Sequence, residues 1–129
     1  MSVFFKWDPS VLSVKVQAMD EEHIILIDKM NALHSAYSAK KPVEEITRLL
    51  NDFASYTVSH FADEEAYMDQ IKFEGAEVHK IIHKQLLSQV TGYVESFKST
   101  GELTDAFFNF LTVWLTSHIK GIDIKYGKP

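Results

Sequence analysis

No cysteine occurs anywhere in the 129-residue chain. That absence excludes disulfides, thiolate zinc sites and iron–sulfur clusters, and any metal must sit on nitrogen and oxygen. Basic charge is also short: 13 Lys and Arg against 18 Asp and Glu leave a net charge of -5. A phosphate backbone requires a basic patch and none is visible, so nucleic acid is not an expected partner. No apolar run reaches the roughly 20 residues of a membrane span, and the opening MSVFFKWDPS lacks the basic region and sustained apolar run of a signal peptide. A cytoplasmic, soluble protein is the expectation. Period-two alternation and internal repeats are missing too, which removes sheet and solenoid architectures.

What is present is a balance of 46% hydrophobic and 24% charged residues, the composition of a chain that folds around one core. Residues 1–129 are read as a single domain. After an N-terminal arm over about 1–17, held down by Phe4, Phe5 and Trp7, four amphipathic patterns follow, over about 20–39, 43–70, 76–98 and 104–120. Asp20, Glu21 and Glu22 mark the first helix start, where a capping oxygen and early acids satisfy free amides and complement the dipole. Pro42 suits the opening turn of the second helix, and Gly75 and Gly121 are turn residues. Short connections favour antiparallel neighbours. The expected fold is therefore all-α, an antiparallel up-down-up-down four-helix bundle with an N-terminal arm.

That topology places the start of the first helix, the end of the second, the start of the third and the end of the fourth at one end. His23, then His60 with Glu64, then His79 with His83, then His118 all belong to that end. Residues four apart share a helix face, so His60 with Glu64 and His79 with His83 each form a chelating pair. A lone histidine on an apolar stripe is more often an ordinary hydrogen-bonded core residue, and an isolated Glu64 or Asp123 is more often a solvated charge, like Asp63 and Glu65 beside the former. Five imidazoles and a carboxylate buried together are different, because their polar atoms need partners that an apolar core does not hold. A metal supplies them. His34 lies eleven residues after His23, about 16 Å along a helix axis, and is read as a core or inter-helix hydrogen-bonding residue outside the site. Asp123, five residues after His118, joins the cluster if the chain turns back at Gly121, which helical geometry alone does not predict. Five histidines with two carboxylates exceed one tetrahedral zinc site and contain too few oxygens for calcium or magnesium, so two first-row ions fit better, iron first and manganese as its competitor.

At these residues the sequence resembles the hemerythrin family in its bacterial single-domain form, over essentially the whole chain. DEEH carries His23, HFADEE carries His60 and Glu64, HKIIH carries His79 and His83, and HIKGID carries His118 and Asp123. The resemblance implies two non-heme iron ions. His79, His83 and His118 would hold one and His23 and His60 the other, with Glu64, Asp123 and an oxo or hydroxo group as bridges. It also implies an oxygen pocket of Leu26, Phe61, Trp114, Leu115 and Ile119, and reversible binding of dioxygen at the open position of the second ion. Phe73 and Glu74 depart from the tyrosine and proline common in that loop and affect no ligand. The chain is expected to be a carrier or store of oxygen and not an enzyme, a monomer, with an oxygen-consuming enzyme as a candidate recipient. The competing expectations are an oxygen, nitric oxide or redox sensor working through a separate partner, and peroxidase- or ferroxidase-type chemistry. The histidine-rich ligand set disfavours the last, since di-iron oxidation sites are richer in carboxylate and carry a Glu-x-x-His pattern absent here.

Overall fold

A computed structural model describes residues 5–7, 12–14 and 16–121. Among them are four long helices, α1 (Gln17–Ser38), α2 (Val43–Gln70), α3 (Ala76–Thr100) and α4 (Asp105–Gly121). Side-chain pairs between helices fix their directions. Glu22 early in α1 meets His60 late in α2, and Asp69 late in α2 meets Lys80 early in α3. His79 early in α3 meets His118 late in α4, while Tyr37 at the end of α1 donates to Asp105 at the start of α4. Each neighbour therefore runs opposite to the last, which is the up-down-up-down bundle that the short connections demand.

Each helix buries one stripe. In α2 the buried positions are Ile46, Leu50, Phe53, Thr57, His60, Phe61, Glu64 and Met68, spaced by three or four as one helical face requires, with Phe61 widening the stripe beside His60. Tyr67 is half-buried, and Met68 fills the core place beside it. Thr57 is satisfied by donating to the Phe53 carbonyl at 2.8 Å. Phe53, Phe107, Phe108, Leu33 and Leu111 fill the half of the bundle remote from the histidine-rich end. His34 lies there, half-buried and edge-on to Phe108 with ring centroids 4.8 Å apart.

The helix ends show chemistry that residue preferences hide. Helix α1 starts at Gln17 with Val16 as its cap, not at Asp20. The Asp20 carboxylate sits inside the first turn and reaches backward, accepting from the Val14 amide at 2.8 Å and the Ser13 hydroxyl at 2.6 Å. It therefore ties the incoming segment to the helix. Both α1 and α2 close in the same way. Lys41 N–H bonds the Ala36 carbonyl and Lys40 N–H that of Tyr37, and Phe73 with Lys72 repeats the pattern on Met68 and Asp69. This is the paired bonding that normally follows a left-handed glycine, yet Lys40 and Lys72 occupy it at φ 56° and 55°. After α3 a glycine does take the position, Gly101 at φ 74°. Gly75 caps α3, and an added Cβ there would come within 2.9 Å of the Phe73 ring. Of the arm, Phe5 and Trp7 pack on the core, and Phe5 is held through its backbone, its N–H donating to Asn31 Oδ1 at 2.8 Å and its carbonyl accepting from Asn31 Nδ2 at 2.7 Å. Phe4 lies outside the described residues.

Candidate metal centre

The histidines at the common end are buried as completely as the leucines of the core: His23 0%, His60 1%, His79 2%, His83 1% and His118 4% exposed, with Glu64 at 0%. Glu64 stands among three of them. Its Oε2 lies 3.3 Å from His23 Nε2, and its Oε1 lies 3.4 Å from His60 Nε2 and 3.1 Å from His83 Nε2. On the other side His79 Nε2 faces His118 Nε2 at 3.3 Å. Two groups of donor atoms result, each within 4.8 Å of one another: His79, His83 and His118 with Glu64, and His23 and His60 with Glu64. Glu64 belongs to both.

These distances suit metal binding. Ligands about 2.1 Å from an ion and at right angles around it stand about 3.0 Å apart, close to the spacings found here. The facing Nε2 atoms of His79 and His118 are compatible either with a hydrogen on one of them, shared as a hydrogen bond, or with a metal ion in its place. The donor set is histidine-rich and carries a single carboxylate among the described residues, which suits first-row ions over magnesium or calcium.

The outward nitrogens are set by two carboxylates to which the sequence reading gave no place in the site, one read as an acid of the first helix start and the other as a solvated charge. His60 Nδ1 is 2.7 Å from Glu22 Oε1, and His83 Nδ1 is 3.0 Å from Glu65 Oε2. An ionised carboxylate only accepts, so Nδ1 of each ring carries the hydrogen and Nε2 presents its lone pair inward. Burial pushes the Glu22 carboxyl above its ordinary value, the His60 bond pulls it back, and a hydrogen bond with Asp63 raises it again. Glu22 and Glu65 adjoin His23 and Glu64 in sequence, and only the crossing of the helices shows that they serve the rings next door.

Beside His23, His60 and His118, Leu26, Phe61, Trp114, Leu115 and Ile119 line a narrow void with no room for a water molecule. Phe61 lies flat on His83, ring centroids 3.8 Å apart and planes 5° from parallel, and its edge meets Trp114 at 5.8 Å. Leu26, Leu115 and Ile119 are each 1% exposed. Asp123, the remaining residue expected in the site, lies outside the described residues.

The family model described as hemerythrin HHE cation binding domain matches residues 14–127. The chain belongs to the hemerythrin family. A myohemerythrin of Riftia pachyptila is 32% identical over 122 residues, 95% of this chain and 90% of that one. A bacteriohemerythrin of Pseudomonas paraeruginosa is 30% identical over 115 residues, 89% of this chain and 74% of that one. A crystal structure of wild-type hemerythrin superposes with a TM-score of 0.90 at 26% identity, over 96% of this chain and 95% of the other. The four-helix bundle is thus shared with solved hemerythrins, and the histidine-rich end described above lies within the matched residues. Among the described residues no helix is long and apolar enough to cross a membrane.

Proposed function

We propose that the protein binds dioxygen reversibly at a non-heme di-iron centre, as a carrier or store. Glu64 carries the reading, because a fully buried carboxylate common to two groups of imidazoles is the donor that one ion does not need and two adjacent ions share. His79, His83 and His118 would hold one ion and His23 and His60 the other, with Glu64, Asp123 and an oxo or hydroxo group between them. Two ferrous ions in that setting supply the two electrons that oxygen takes up and returns. The void lined by Leu26, Leu115 and Ile119 borders both histidines of the smaller group, His23 and His60, and only one of the larger, His118. That geometry supports oxygen binding on the His23 and His60 side.

The surrounding side chains do what a carrier needs. Leu26, Phe61, Leu115 and Ile119 keep water from the void, so an oxygen molecule held there would leave as it came instead of as a reduced product. Replacing Ile119 with asparagine places a donor in that wall. One hydrogen bond of about 1–1.5 kcal/mol to a charged product path corresponds to roughly a tenfold faster autoxidation. Following the decay of the oxygenated absorption in air measures it, and a rate equal to that of the parent protein removes the role given to the wall.

The deciding experiment is an anaerobic reconstitution with ferrous iron, a count of iron per chain, and then cycles of oxygen and argon. Two irons per chain with a visible charge-transfer absorption that comes and goes over repeated cycles is the expected result. Two irons that turn permanently ferric on first exposure favour a sensor or a peroxidase-type reaction, and no iron at all discards the centre. Manganese offered in competition tests the choice of metal.

A further inference from the structure

We infer that Glu22 and Glu65 are positioning residues that divide the centre between them, Glu22 governing the ion held by His23 and His60 and Glu65 the ion held by His79, His83 and His118. The inference rests on the ligand assignment proposed above and adds a site-specific role for two acids outside it.

The two contacts form a directed chain around the bundle. Glu22, one residue before His23 on α1, accepts from His60 on α2 at 2.7 Å. Glu65, one residue after Glu64 on α2, accepts from His83 on α3 at 3.0 Å. In each case the acid next to one ligand holds the ring of a ligand on the following helix. The crossing is dictated by geometry, since consecutive residues on a helix point about 100° apart and a residue beside an inward ligand therefore points toward the neighbouring helix. Both acids are partly screened from solvent, with Glu22 side-chain exposure at 20% and Glu65 at 32%, whereas the rings they hold are at 1%. Each carboxylate fixes the tautomer and the tilt of its ring before any metal arrives, and it increases the basicity of the inward nitrogen. Because the two braced rings fall in different donor groups, the loss of one brace reaches one ion first.

The test compares Glu22→Met, Glu22→Gln, Glu65→Met and Glu65→Gln with the parent chain. Methionine keeps the length and helix preference of glutamate and accepts no strong hydrogen bond, whereas glutamine keeps an acceptor oxygen. Ferrous iron is titrated anaerobically against a competing chelator, and imidazole nitrogen NMR of the metal-free proteins reports which ring nitrogen bears hydrogen. In each methionine variant one of the two irons is expected to bind about 10- to 100-fold more weakly while the other keeps its parent affinity. The Nδ1–H signature should change for His60 alone in Glu22→Met and for His83 alone in Glu65→Met, and glutamine should restore most of the affinity in both. Methionine variants that load both irons like the parent overturn the inference while leaving the di-iron reading intact. So do variants that weaken both irons equally with unaltered ring tautomers, since that is general loosening of the bundle. A parent chain that binds no iron overturns the reading and this inference together.

Discussion

Glu64→Ala should keep the helical content of the chain and lose two-ion loading, with at most one weakly held iron per chain. Glu64 is 0% exposed and contacts three of the five imidazoles through both of its oxygens, so its removal takes a ligand from each donor group at once. It also removes the one negative charge that the described residues place inside the cluster, leaving two divalent ions to repel each other among neutral rings. Outer-sphere changes already cost 10- to 100-fold in affinity, so loss of a shared ligand should exceed about 100-fold for the second ion. Ligand binding to the native state raises stability by about 2.7 kcal/mol at a hundredfold excess over Kd, and the parent should show that rise in Tm on addition of ferrous iron. The variant should not. Its metal-free form should also melt below the metal-free parent, because the truncation leaves a cavity and takes the shared carboxylate from three buried imidazoles. Iron counting with circular dichroism and thermal melts separates the two effects, and a Glu64→Ala chain that still loads two irons would remove the shared carboxylate from the account.

Phe61→Ala should combine a packing loss with a loss of metal affinity. The ring is 2% exposed, lies parallel to His83 at 3.8 Å and touches His60, His118 and Trp114 at centroid distances of 5.8 to 5.9 Å. Truncation of a buried phenylalanine costs about 3–5 kcal/mol, which for a domain of this size lowers Tm by about 10–20 °C. The control is Phe107→Ala, since Phe107 is 1% exposed and packs on Tyr93 and Phe108 in the remote half of the bundle. Both variants should lose comparable stability. Only Phe61→Ala should also weaken iron binding, because His83 loses the surface that sets its tilt, and Phe61→Leu should recover stability more fully than affinity. Equal iron binding in the two alanine variants would show that Phe61 is core packing and nothing more.

How much of this was legible in the sequence depends on which interactions are periodic. The pairing of His60 with Glu64 and of His79 with His83 follows from helical spacing, and their meeting with His23 and His118 follows from short loops that force antiparallel neighbours; the geometry brings all six together. Glu22 and Glu65 were read differently, as an early-helix acid and a solvated charge, because both stand off the apolar stripe. Their partners lie 38 and 18 residues away, a relation that no local pattern encodes. Asp20 carried a genuine terminal signal but in a different role, because its carboxylate bonds the segment before the helix instead of capping the helix. Lys40 and Lys72 give no signal at all for a left-handed turn, and the turn forms because the paired bonds to the preceding carbonyls, not the residue type, fix that backbone.

The clasp between Asn31 and Phe5 reads the arm in one respect only. A side-chain amide is chemically a second peptide group, and by giving one hydrogen and taking another it copies the pairing of two strands where the described residues form no sheet. The recognition is therefore blind to what residue follows Phe4, as long as its backbone arrives, yet strict about Asn31, for which aspartate would set a charge against a carbonyl oxygen. Variation at position 5 should accordingly leave the clasp itself intact while change at Asn31 breaks it, and the side chains of Trp7, Leu12 and Val14 meet the core on the separate terms of apolar packing.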